Sequence, residues 1–396
     1  MDLNDSPEHT AFREQVRGFI ASHRHLAPVA RGEVDAQARA WQALLIAQGY
    51  AARSIPLAYG GAGLTPDLLK SRILADEFAA AGVSPGLGGQ GISMLVPTLL
   101  ELGTEAQKLE FIGPTLRGEL IWCQGYSEPG AGSDLASLRS KAVLDGEHWV
   151  VNGEKIWTST AQLAHWIFCL LRTEPDKPRH QGLSFLLFRM DSPGIEVRPL
   201  VDMTMQPNFN QVFFHDVRVP AQQIVGRRGD GWQVANVILK NERDSLADAN
   251  QAQARLNQLV GIMREETVDG VPLIEQAVFL DRLMRLQGRL TALKYNDLRL
   301  LSSRLNGDDD TRLARLITKL QGTELRHEIE GLAIDVMGEN GLAFGSHPYL
   351  RDNGSWQTLY MYYLGLIIGG GTSQIQKNII SEQGLGMPRE PKPAST

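Results

Sequence analysis

A glutamate within an apolar stretch is the first candidate for acid–base chemistry in this sequence. Glu242 lies in Val237-Ile-Leu-Lys-Asn-Glu-Arg-Asp-Ser-Leu246, which has the composition of a helix. Apolar residues fall one helical turn away from it, at Ile238, Leu239 and Leu246. Burial among such neighbours disfavours a charged carboxyl group, so it raises the pKa and strengthens the group as a base. The segment therefore predicts either a proton-abstracting carboxylate or a structural glutamate paired with Arg243 or another cation.

Two further segments combine hydroxyl groups with features that suit a flat, polar ligand. The stretch Trp122-Cys-Gln-Gly-Tyr-Ser-Glu-Pro-Gly-Ala-Gly-Ser-Asp134 is glycine-rich, and its N–H groups and serine hydroxyls can hydrogen-bond a ring edge or a phosphate. In Asn152-Gly-Glu-Lys-Ile-Trp-Thr-Ser159, Trp157 precedes two hydroxyl residues and can stack on a heterocycle. Taken alone, the first segment is better explained as an ordinary surface turn than as a ligand-binding loop. The second, taken alone, is better explained by a half-buried structural tryptophan.

A third segment, Ile368-Gly-Gly-Gly-Thr-Ser-Gln-Ile-Gln-Lys-Asn-Ile-Ile380, places three glycines before a predicted helix. Ser373 and Gln376 have capping-box spacing, so the helix is expected to begin near Gln374. Its buried face is expected to contain Ile375, Ile379 and Ile380. The unpaired N–H groups of such a helix start can approach a ligand closely, although a plain turn explains the glycines equally well.

The spacing of apolar residues, which predicts the helices and strands that must position these segments, changes along the chain. Helical spacing is found through residues 68–78 and 95–102, and the whole of residues 1–118 is predicted to be mostly helical. Residues 142–155 predict a β-hairpin with a turn at Asp145-Gly146 and a second turn at Asn152-Gly153. Short strands are predicted at Trp166–Leu171, Leu183–Phe188, Ile195–Val197 and Gln211–Phe214. Helices are predicted again over 232–264, 273–304, 311–337 and 374–384.

One literal motif match is misleading. Gly86-Leu-Gly-Gly-Gln-Gly91 has the spacing of a dinucleotide-binding fingerprint, which has meaning only between a strand and a helix. Because the preceding residues 69–81 are predicted to be helical, a loop between two helices is expected here instead.

Composition limits the class of protein and its partners. The 396 residues are 43% hydrophobic, enough for a sizeable core, and the net charge of −6 is spread along the chain. Neither a nucleic-acid nor a membrane partner is therefore expected, and no apolar stretch is long enough to span a bilayer. Two cysteines without metal-type spacing, Cys123 and Cys169, predict no metal site and favour a reducing cytoplasm.

Taken together, the loop Ser127–Asp134, the Asn-Gly-Glu-Lys-x-Trp strand and the Gly-Thr-Ser-Gln-Ile-Gln helix start resemble the acyl-CoA dehydrogenase family, in the order and separation typical of it. The resemblance covers nearly the whole chain. It implies an α+β fold with an N-terminal helical domain (1–118), a middle β-barrel-like domain (119–228), a C-terminal four-helix bundle (229–384) and a flexible tail (385–396).

The resemblance implies an oxidoreductase that acts on the CH–CH bond of an acyl-CoA thioester, with FAD as cofactor and an electron-transfer flavoprotein as acceptor. The implied cofactor contacts are Gln124, Tyr126, Ser127, Gly132, Ser133, Trp157, Ser159, Thr372 and Gln374. Ser133 and Arg243 are the implied substrate contacts.

The position of the base distinguishes subsets of that family. Many members have a carboxylate immediately before the final Gly-Thr, where this chain has Gly370. The N–H group at this position helps to hold the thioester oxygen in the family, so Gly370 keeps that role by resemblance. Isovaleryl-CoA and long-chain enzymes have their base on the Glu-Arg helix, which makes Glu242 the expected base that removes the Cα proton.

Two departures from the family pattern concern the FAD site. An Arg-x-x-Phe-Gly segment that usually reaches the FAD of a neighbouring subunit is replaced by the sequence from Val268 to Gln276, and a Gln-x-x-Gly-Gly contact by Asp335-Val-Met-Gly-Glu339. These changes resemble large subunits of two-gene dehydrogenases that act on pimeloyl-CoA-like or steroid side-chain thioesters. We therefore expect an oligomer, either the family's tetramer or an α2β2 heterotetramer whose second subunit completes the FAD site.

Two other functions are compatible with the same motifs. The fold could host a flavin oxidase, monooxygenase or desulfinase, none of which requires Glu242 as the base. It could also form a non-catalytic CoA-binding subunit of a dehydrogenase complex. The sequence does not identify the acyl group.

Overall fold

The computed structural model describes residues 5–28, 34–246, 249–307 and 311–389, without the side chains of residues 243–246. It divides into two compact units, residues 5–242 and the residues from Arg243 onward, and each is described here by itself. The three-domain boundaries inferred from the sequence stay a prediction. Most of the tail predicted to be flexible, residues 390–396, lies outside the described residues.

The described residues before the sheet contain the α-helices α1 (Pro7–His23), α2 (Ala36–Ala47), α3 (Leu68–Ala81), α4 (Val96–Leu102) and α5 (Glu105–Leu116). Helix α5 begins with a capping box between Thr104 and Gln107. The buried Glu77 of α3 accepts hydrogen bonds of 2.7 Å from Arg13 and Arg17 of α1, so α1 and α3 are joined by a charged contact. The helical spacing predicted over residues 68–78 and 95–102 is confirmed.

The glycine stretch from Gly86 to Gly91 is a connection between helices, as predicted. It follows α3, and a π-helical turn, Gly91–Leu95, leads from it into α4. The element immediately before it is a helix and not a strand, so the dinucleotide-binding interpretation is excluded for this segment.

Eight strands form one sheet in the first unit: β1 (Trp122–Gly125), β2 (Lys141–Asp145), β3 (His148–Lys155), β4 (Trp166–Arg172), β5 (Leu183–Arg189), β6 (Ile195–Leu200), β7 (Phe209–Pro220) and β8 (Ile224–Val225). Their order is β6-β7-β3-β2-β4-β5-β8, and β1 pairs with β4 in parallel. The four short strands predicted for this region are confirmed. Both faces of β4 and β5 are buried, which explains their nearly continuous apolar sequences.

The hairpin predicted over residues 142–155 is confirmed at its first turn and wrong at its second. Strands β2 and β3 pair around Gly146, which has a φ of +58°. Asn152-Gly153 is not a turn, because β3 continues through it to Lys155. Instead β7 has an extra residue here, and Asp216, with a φ of +49°, exchanges hydrogen bonds of 2.8 and 3.0 Å with the Asn152 side chain. The polar pair therefore marks a β-bulge.

Helix α6 (Gly231–Leu246) runs from the first unit into the second, which contains α7 (Ala249–Glu265), a hairpin of β9 (Thr267–Val268) and β10 (Val271–Pro272), α8 (Ala277–Asn306), α9 (Arg312–Val336), α10 (Ser355–Ile368) and α11 (Ser373–Ile379). Helix α9 packs against α7, α8 and α10, so four long helices share one apolar core. The predicted helices in this part of the chain are confirmed, apart from residues 247 and 248, which lie outside the described residues.

One helix was not predicted. Helix α10 reads Ser-Trp-Gln-Thr-Leu-Tyr-Met-Tyr-Tyr-Leu-Gly-Leu-Ile-Ile and is apolar on nearly every side. Such a sequence has no polar face, so helical periodicity cannot be recognised in it.

Both cysteines are completely buried and unpaired. Burial raises the pKa of the Cys169 thiol to about 12 and raises the pKa of Cys123 well above its usual value. Within residues 5–28, 34–246, 249–307 and 311–389, no helix is both long and apolar enough to cross a membrane.

Candidate functional site

The glycine-rich loop after β1 is folded back on itself. Glu128 and Ala131 exchange two backbone hydrogen bonds of 3.0 Å, which close a tight turn around Pro129 and Gly130. Beyond this turn Gly132 and Ser133 are exposed, while Gln124 and Ser127 are half-buried. The loop therefore exposes Gly132 and Ser133 at the surface, and ligand binding by it stays a prediction.

A buried ion pair fixes this loop to strand β3. The ammonium group of Lys155 donates to Glu128 Oε1 at 2.9 Å and to the Tyr126 carbonyl oxygen at 3.0 Å. Lys155 has no exposed surface and Glu128 is 8% exposed. The Glu128 carboxylate also accepts from the N–H groups of Arg139 at 2.6 Å and Ser140 at 2.9 Å. Two segments that the sequence identified separately are therefore one structural unit.

The pKa of Glu128 reflects a balance between burial and attraction. Burial alone would raise the pKa of this carboxyl group. The Lys155 charge and the hydrogen bond from the Arg139 N–H outweigh burial, so the pKa lies below its usual value. Glu128 is consequently ionised at neutral pH.

Trp157 is presented by an unusual backbone conformation. Its indole is 59% exposed, and its φ of +61° lies in the left-handed region that most side chains avoid. The next residue, Thr158, is buried and bonded to the Asn210 backbone and side chain at 3.0 Å. The Ile156 N–H donates to the Ser127 carbonyl oxygen at 2.9 Å, so the structure brings Trp157 beside the glycine-rich loop.

The start of α6 is held directly against the sheet. A Cβ atom on Gly231 would lie 2.6 Å from the Ser184 backbone of β5, so only glycine allows this approach. The preceding Gly229 N–H donates to the Ser184 hydroxyl at 3.0 Å. The Gly-Asp-Gly-Trp sequence therefore fixes the position from which α6 extends to Glu242.

Glu242 lies near the buried side chain of Tyr126. Ile238 and Leu239, one turn before it, pack in the same apolar cluster as Tyr126. Glu242 itself is half-buried. Burial and the negative charge of Glu242 raise the pKa of the Tyr126 phenol well above its usual value, so this hydroxyl stays protonated. The Glu242 carboxylate is therefore close enough to the Tyr126 phenol for its charge to act on that group.

Six buried side-chain polar atoms of the first unit have no hydrogen-bond partner within the described residues, and three of them lie in or near the candidate site segments: the Tyr126 hydroxyl, Gln90 Oε1 and Thr158 Oγ1. The Gln124 amide lies beside the Tyr126 hydroxyl without hydrogen-bond geometry, and Gln90 Nε2 is 3.5 Å from Gln124 Oε1. Leaving such an atom unpaired costs about 1–3 kcal/mol. Polar atoms of this kind are expected where a ligand completes the bonding.

In the second unit, a buried lysine holds the predicted glycine loop. Lys319 of α9, 2% exposed, donates to the Ile367 carbonyl oxygen at 3.0 Å and to the Gly371 carbonyl oxygen at 2.7 Å. Gln376 donates to the Gly370 carbonyl oxygen at 3.0 Å. Gly370 has a φ of +64°, a conformation that disfavours any residue with a side chain.

The predicted start of the last helix was wrong by one residue. The capping residue is Thr372, whose hydroxyl accepts from the Ile375 N–H at 3.2 Å. Ser373 instead donates to Glu324 at 2.9 Å, because its side chain points toward α9. The predicted buried face was also wrong: Ser373 and Gln376 are buried, whereas Ile375, Ile379 and Ile380 are only half-buried.

The remaining site predictions have different outcomes. The Arg243 side chain lies outside the described residues. Ser159 is half-buried two residues after Trp157, and Gln374 is exposed at the first turn of α11. Asp335, which replaces a family glutamine, lies 2.7 Å from Arg282 and is therefore engaged in an ion pair.

Sequence reasoning missed Glu128, Lys155, Lys319 and Gln90. For Lys155 a signal was present, since it alternates with the buried Trp149 and Val151 along β3. A lysine at an inward position requires a buried partner.

Comparison with known proteins identifies the chain. Residues 6–119 match the N-terminal domain of acyl-CoA dehydrogenases, residues 123–217 the middle domain and residues 229–385 the C-terminal domain. The chain belongs to the acyl-CoA dehydrogenase family. The predicted membership of this family, its three-part fold and its activity class as an oxidoreductase are thereby confirmed.

Individual relatives of this acyl-CoA dehydrogenase point to one branch. It is 37% identical over 397 residues to acyl-CoA dehydrogenase IpdE1 of Mycobacterium tuberculosis, covering 96% of this chain and 98% of the relative. The ChsE4-ChsE5 complex from Mycobacterium tuberculosis contains a chain with a TM-score of 0.81 and 30% identity, covering 98% of this chain and 100% of that one. The Tcur3481-Tcur3483 steroid ACAD has a TM-score of 0.81 and 27% identity, and the match covers 98% of this chain and 100% of that chain.

The residues of this dehydrogenase fit the flavin that the family uses. Trp157 offers an exposed aromatic surface for a flat ring, and Thr158 Oγ1 beside it has no hydrogen-bond partner among the described residues. The exposed backbone of the glycine-rich loop lies next to them. An exposed tryptophan and a glycine-rich backbone form a suitable surface for an isoalloxazine ring, with the buried Thr158 hydroxyl directly behind the tryptophan in sequence.

Proposed function

We propose that this dehydrogenase removes hydrogen across the Cα–Cβ bond of an acyl-CoA thioester to give 2-enoyl-CoA, with Glu242 as the base. The observation that supports this most is the position of Glu242, one turn after Ile238 and Leu239 on an apolar helix face and near enough to Tyr126 for its charge to act on the phenol. Gly370 has no side chain that could act as an alternative base. A side chain at that position would also be strained, because the φ of Gly370 is +64°.

Proton abstraction requires a carboxylate and a way to stabilise the enolate that develops. Glu242 takes the Cα proton, and the N–H group of Gly370 is proposed to donate to the thioester oxygen. A preorganised backbone donor is effective only if it is rigid. The hydrogen bonds from Lys319 to Ile367 and Gly371, and from Gln376 to Gly370, support such rigidity.

FAD, when bound, supplies the acceptor for the hydride from Cβ at its N5 atom. The proposed contacts in the first unit are Gln124, Tyr126, Ser127, Gly132, Ser133, Trp157 and Ser159, and those in the second unit are Thr372 and Gln374. Ser133 and Arg243 are proposed to bind the substrate. Trp157 is proposed to stack beside the ring system, and its restrained backbone keeps the indole ready for this contact.

We propose further that the active assembly contains a second, related subunit and that its electrons pass to an electron-transfer flavoprotein. The two-protein names of the ChsE4-ChsE5 complex and the Tcur3481-Tcur3483 steroid ACAD support this proposal by similarity. The ion pair of Asp335 with Arg282 supports it too, because this carboxylate replaces the glutamine of the family contact. Full flavin content and activity in the chain expressed alone would contradict the heteromeric proposal.

Anaerobic bleaching of the bound flavin by a panel of acyl-CoA thioesters tests the proposed reaction. Straight, branched, dicarboxylic and steroid acyl groups belong in the panel, and a steroid-type acyl group is expected to react fastest. Replacement of Glu242 by Gln is expected to slow bleaching by about 10²–10⁴-fold, since it removes a general base. The matched control is Glu196→Gln, which removes an exposed carboxylate paired with Arg198.

The outcomes separate the possible functions. Unchanged bleaching in Glu242→Gln would refute the base assignment. Rapid oxygen consumption after reduction would favour a flavin oxidase or monooxygenase, and absence of bleaching by every thioester would favour a non-catalytic subunit.

A further inference from the structure

The connection that follows β3 contains two residues in a strained backbone conformation. Trp157 and Thr160 have φ values of +61° and +60°, in the left-handed region that favours glycine. Threonine is especially disfavoured there, because its Cβ is branched. Such conformations persist only where surrounding contacts fix them, and they are found preferentially at binding sites. The contacts of this connection therefore identify what maintains it.

Asn210 supplies those contacts. It lies in β7 and is completely buried. Its carbonyl oxygen accepts from the Thr158 N–H at 3.0 Å, and its amide nitrogen donates to the Thr158 carbonyl oxygen at 3.0 Å. The same nitrogen donates to Gln162 Oε1 at 2.5 Å. One residue therefore holds the peptide groups on both sides of residue 158, between the two strained positions, and the side chain of residue 162 beyond them.

The orientation of the Asn210 amide is determined by its partners. A backbone carbonyl oxygen can only accept, so the amide nitrogen must face Thr158. The amide oxygen has no hydrogen-bond partner among the residues that the structure describes. An unpaired buried oxygen is unfavourable, so the hydrogen bonds from the nitrogen are what this side chain contributes.

The position of Asn210 is itself well supported. In the connection from β6 to β7, Asp202 accepts from the Asn208 side chain at 2.8 Å, which closes the loop just before Asn210. The adjacent Phe209 ring contacts the Trp157 indole edge-on, with the ring centroids 6.0 Å apart. Support for Trp157 therefore comes from β7 and not only from its own segment.

We propose that Asn210 is a positioning residue for the flavin: it holds residues 157–162 in their left-handed conformation, so that the Trp157 indole is fixed where the ring system binds. The inference rests on the proposed function, in which Trp157 stacks beside the flavin. Asn210 does not touch the cofactor and acts through Trp157. A contact that is ordered before binding increases affinity, because less conformational freedom is lost on binding.

The affinity for FAD tests the inference, in the assembly in which the protein is isolated. Asn210→Leu keeps the approximate volume and removes both hydrogen bonds donated by the side chain. We expect the Kd for FAD, measured by quenching of flavin fluorescence, to rise about three- to tenfold, which corresponds to one aromatic contact. Asn152→Leu is the matched control, because it removes two hydrogen bonds with Asp216 in the same sheet, and it should keep the Kd.

Two combined variants separate positioning from a purely structural role. Thr160 is exposed, and glycine adopts a positive φ without strain. Thr160→Gly added to Asn210→Leu should therefore restore the Kd to within about twofold of the wild-type value. In a Trp157→Ala background, Asn210→Leu should have no further effect on the Kd, since the two residues act as a unit. Failure of glycine to restore binding, or a further rise in the Trp157→Ala background, would overturn the inference.

The experiment does not depend on a single variant at Asn210. If Asn210→Leu yields no folded protein, Asn210→Ala takes its place in every comparison, because it removes the same hydrogen bonds with a smaller side chain. The expected changes in Kd and the contrary outcomes are the same for both variants.

Failure of the inference and failure of the proposed function look different. If Trp157→Ala leaves the Kd for FAD unchanged, Trp157 is not part of the flavin site and the proposed contact is wrong. If Trp157→Ala weakens binding while the Asn210 variant does not, the contact stands and Asn210 has no positioning role. Bleaching of the flavin by acyl-CoA thioesters decides the proposed dehydrogenation independently of both results.

Discussion

The Lys155 ammonium nitrogen lies 2.9 Å from Glu128 Oε1, and both side chains are buried. This contact joins the glycine-rich loop after β1 to the end of β3, two residues before Trp157. The same ammonium group also bonds the Tyr126 carbonyl oxygen at 3.0 Å. The position of the proposed flavin-binding residues therefore depends on an ion pair that does not itself need to touch the cofactor.

Removing one partner of this pair is expected to be costly. Glu128→Gln or Lys155→Met leaves the other charge buried, which costs about 3–5 kcal/mol in the free energy of unfolding. The double variant Glu128→Leu with Lys155→Met should recover much of this loss, because no buried charge remains. Urea unfolding of the four proteins checks the expectation, and equal losses in single and double variants would contradict it.

The contribution of Glu128 should also depend on pH. Its folded pKa is below the usual value of 4.5, so its stabilisation is fully present above about pH 4.5 and is lost as the pH falls through the lowered folded pKa. The stability difference between the wild type and Glu128→Gln should therefore shrink below pH 4.5. Urea midpoints measured between neutral pH and the onset of acid unfolding test this, and a difference that grows on acidification would exclude the mechanism.

The contact of Gly231 with β5 leads to a prediction about α6. Gly231→Ala places a Cβ atom 2.6 Å from the Ser184 backbone, so the helix start must shift, at a cost of about 1–3 kcal/mol. Gly261→Ala in α7 is the matched control, since no atom lies within 4 Å of its Cβ and alanine favours a helix. Thermal unfolding should show a lower Tm for Gly231→Ala and a higher Tm for Gly261→Ala than for the wild type.

Trp157 is expected to matter for flavin retention more than for folding. Its indole is 59% exposed and makes one edge-on aromatic contact, with Phe209. Trp157→Ala should change the stability of flavin-free protein by less than about 1 kcal/mol and should lower the flavin content after gel filtration. Leu163→Ala, at a residue 57% exposed in the same connection, should keep its flavin. Equal flavin content in both variants would remove Trp157 from the proposed site.

Lys319 offers a test of the glycine loop before α11. Lys319→Met removes hydrogen bonds to the Ile367 and Gly371 carbonyl oxygens. We expect it to lower the free energy of unfolding by about 2–4 kcal/mol. Lys377→Met, at an exposed residue of α11, is the control and should be nearly neutral. If Lys319→Met were equally neutral, the lysine would not be what fixes this loop.

Periodic elements were predictable because their pattern is local. The short strands alternate or are continuously apolar, and α9 has a clear apolar face. Helix α10 was missed because it has no polar face. The capping residue was misplaced by one position because Thr372 and Ser373 both have a hydroxyl, and only the contact of Ser373 with Glu324 decides between them.

Long-range partners were not predictable from one sequence. Glu128 and Lys155 are 27 residues apart, and nothing local to either residue identifies the other. Gln90 lay in a glycine stretch that was correctly interpreted as a loop, so its side chain attracted no attention. Its unpaired oxygen is a property of the folded interior that one sequence does not show.

The two buried cysteines make this protein well suited to site-specific labelling. A thiol reacts with maleimides as its thiolate, and the raised pKa values and complete burial of Cys123 and Cys169 leave little reactive thiolate in the folded state. A cysteine introduced at an exposed position would thus be the preferred target for a fluorophore or spin label. Probes could report on each unit separately, without first replacing the native cysteines.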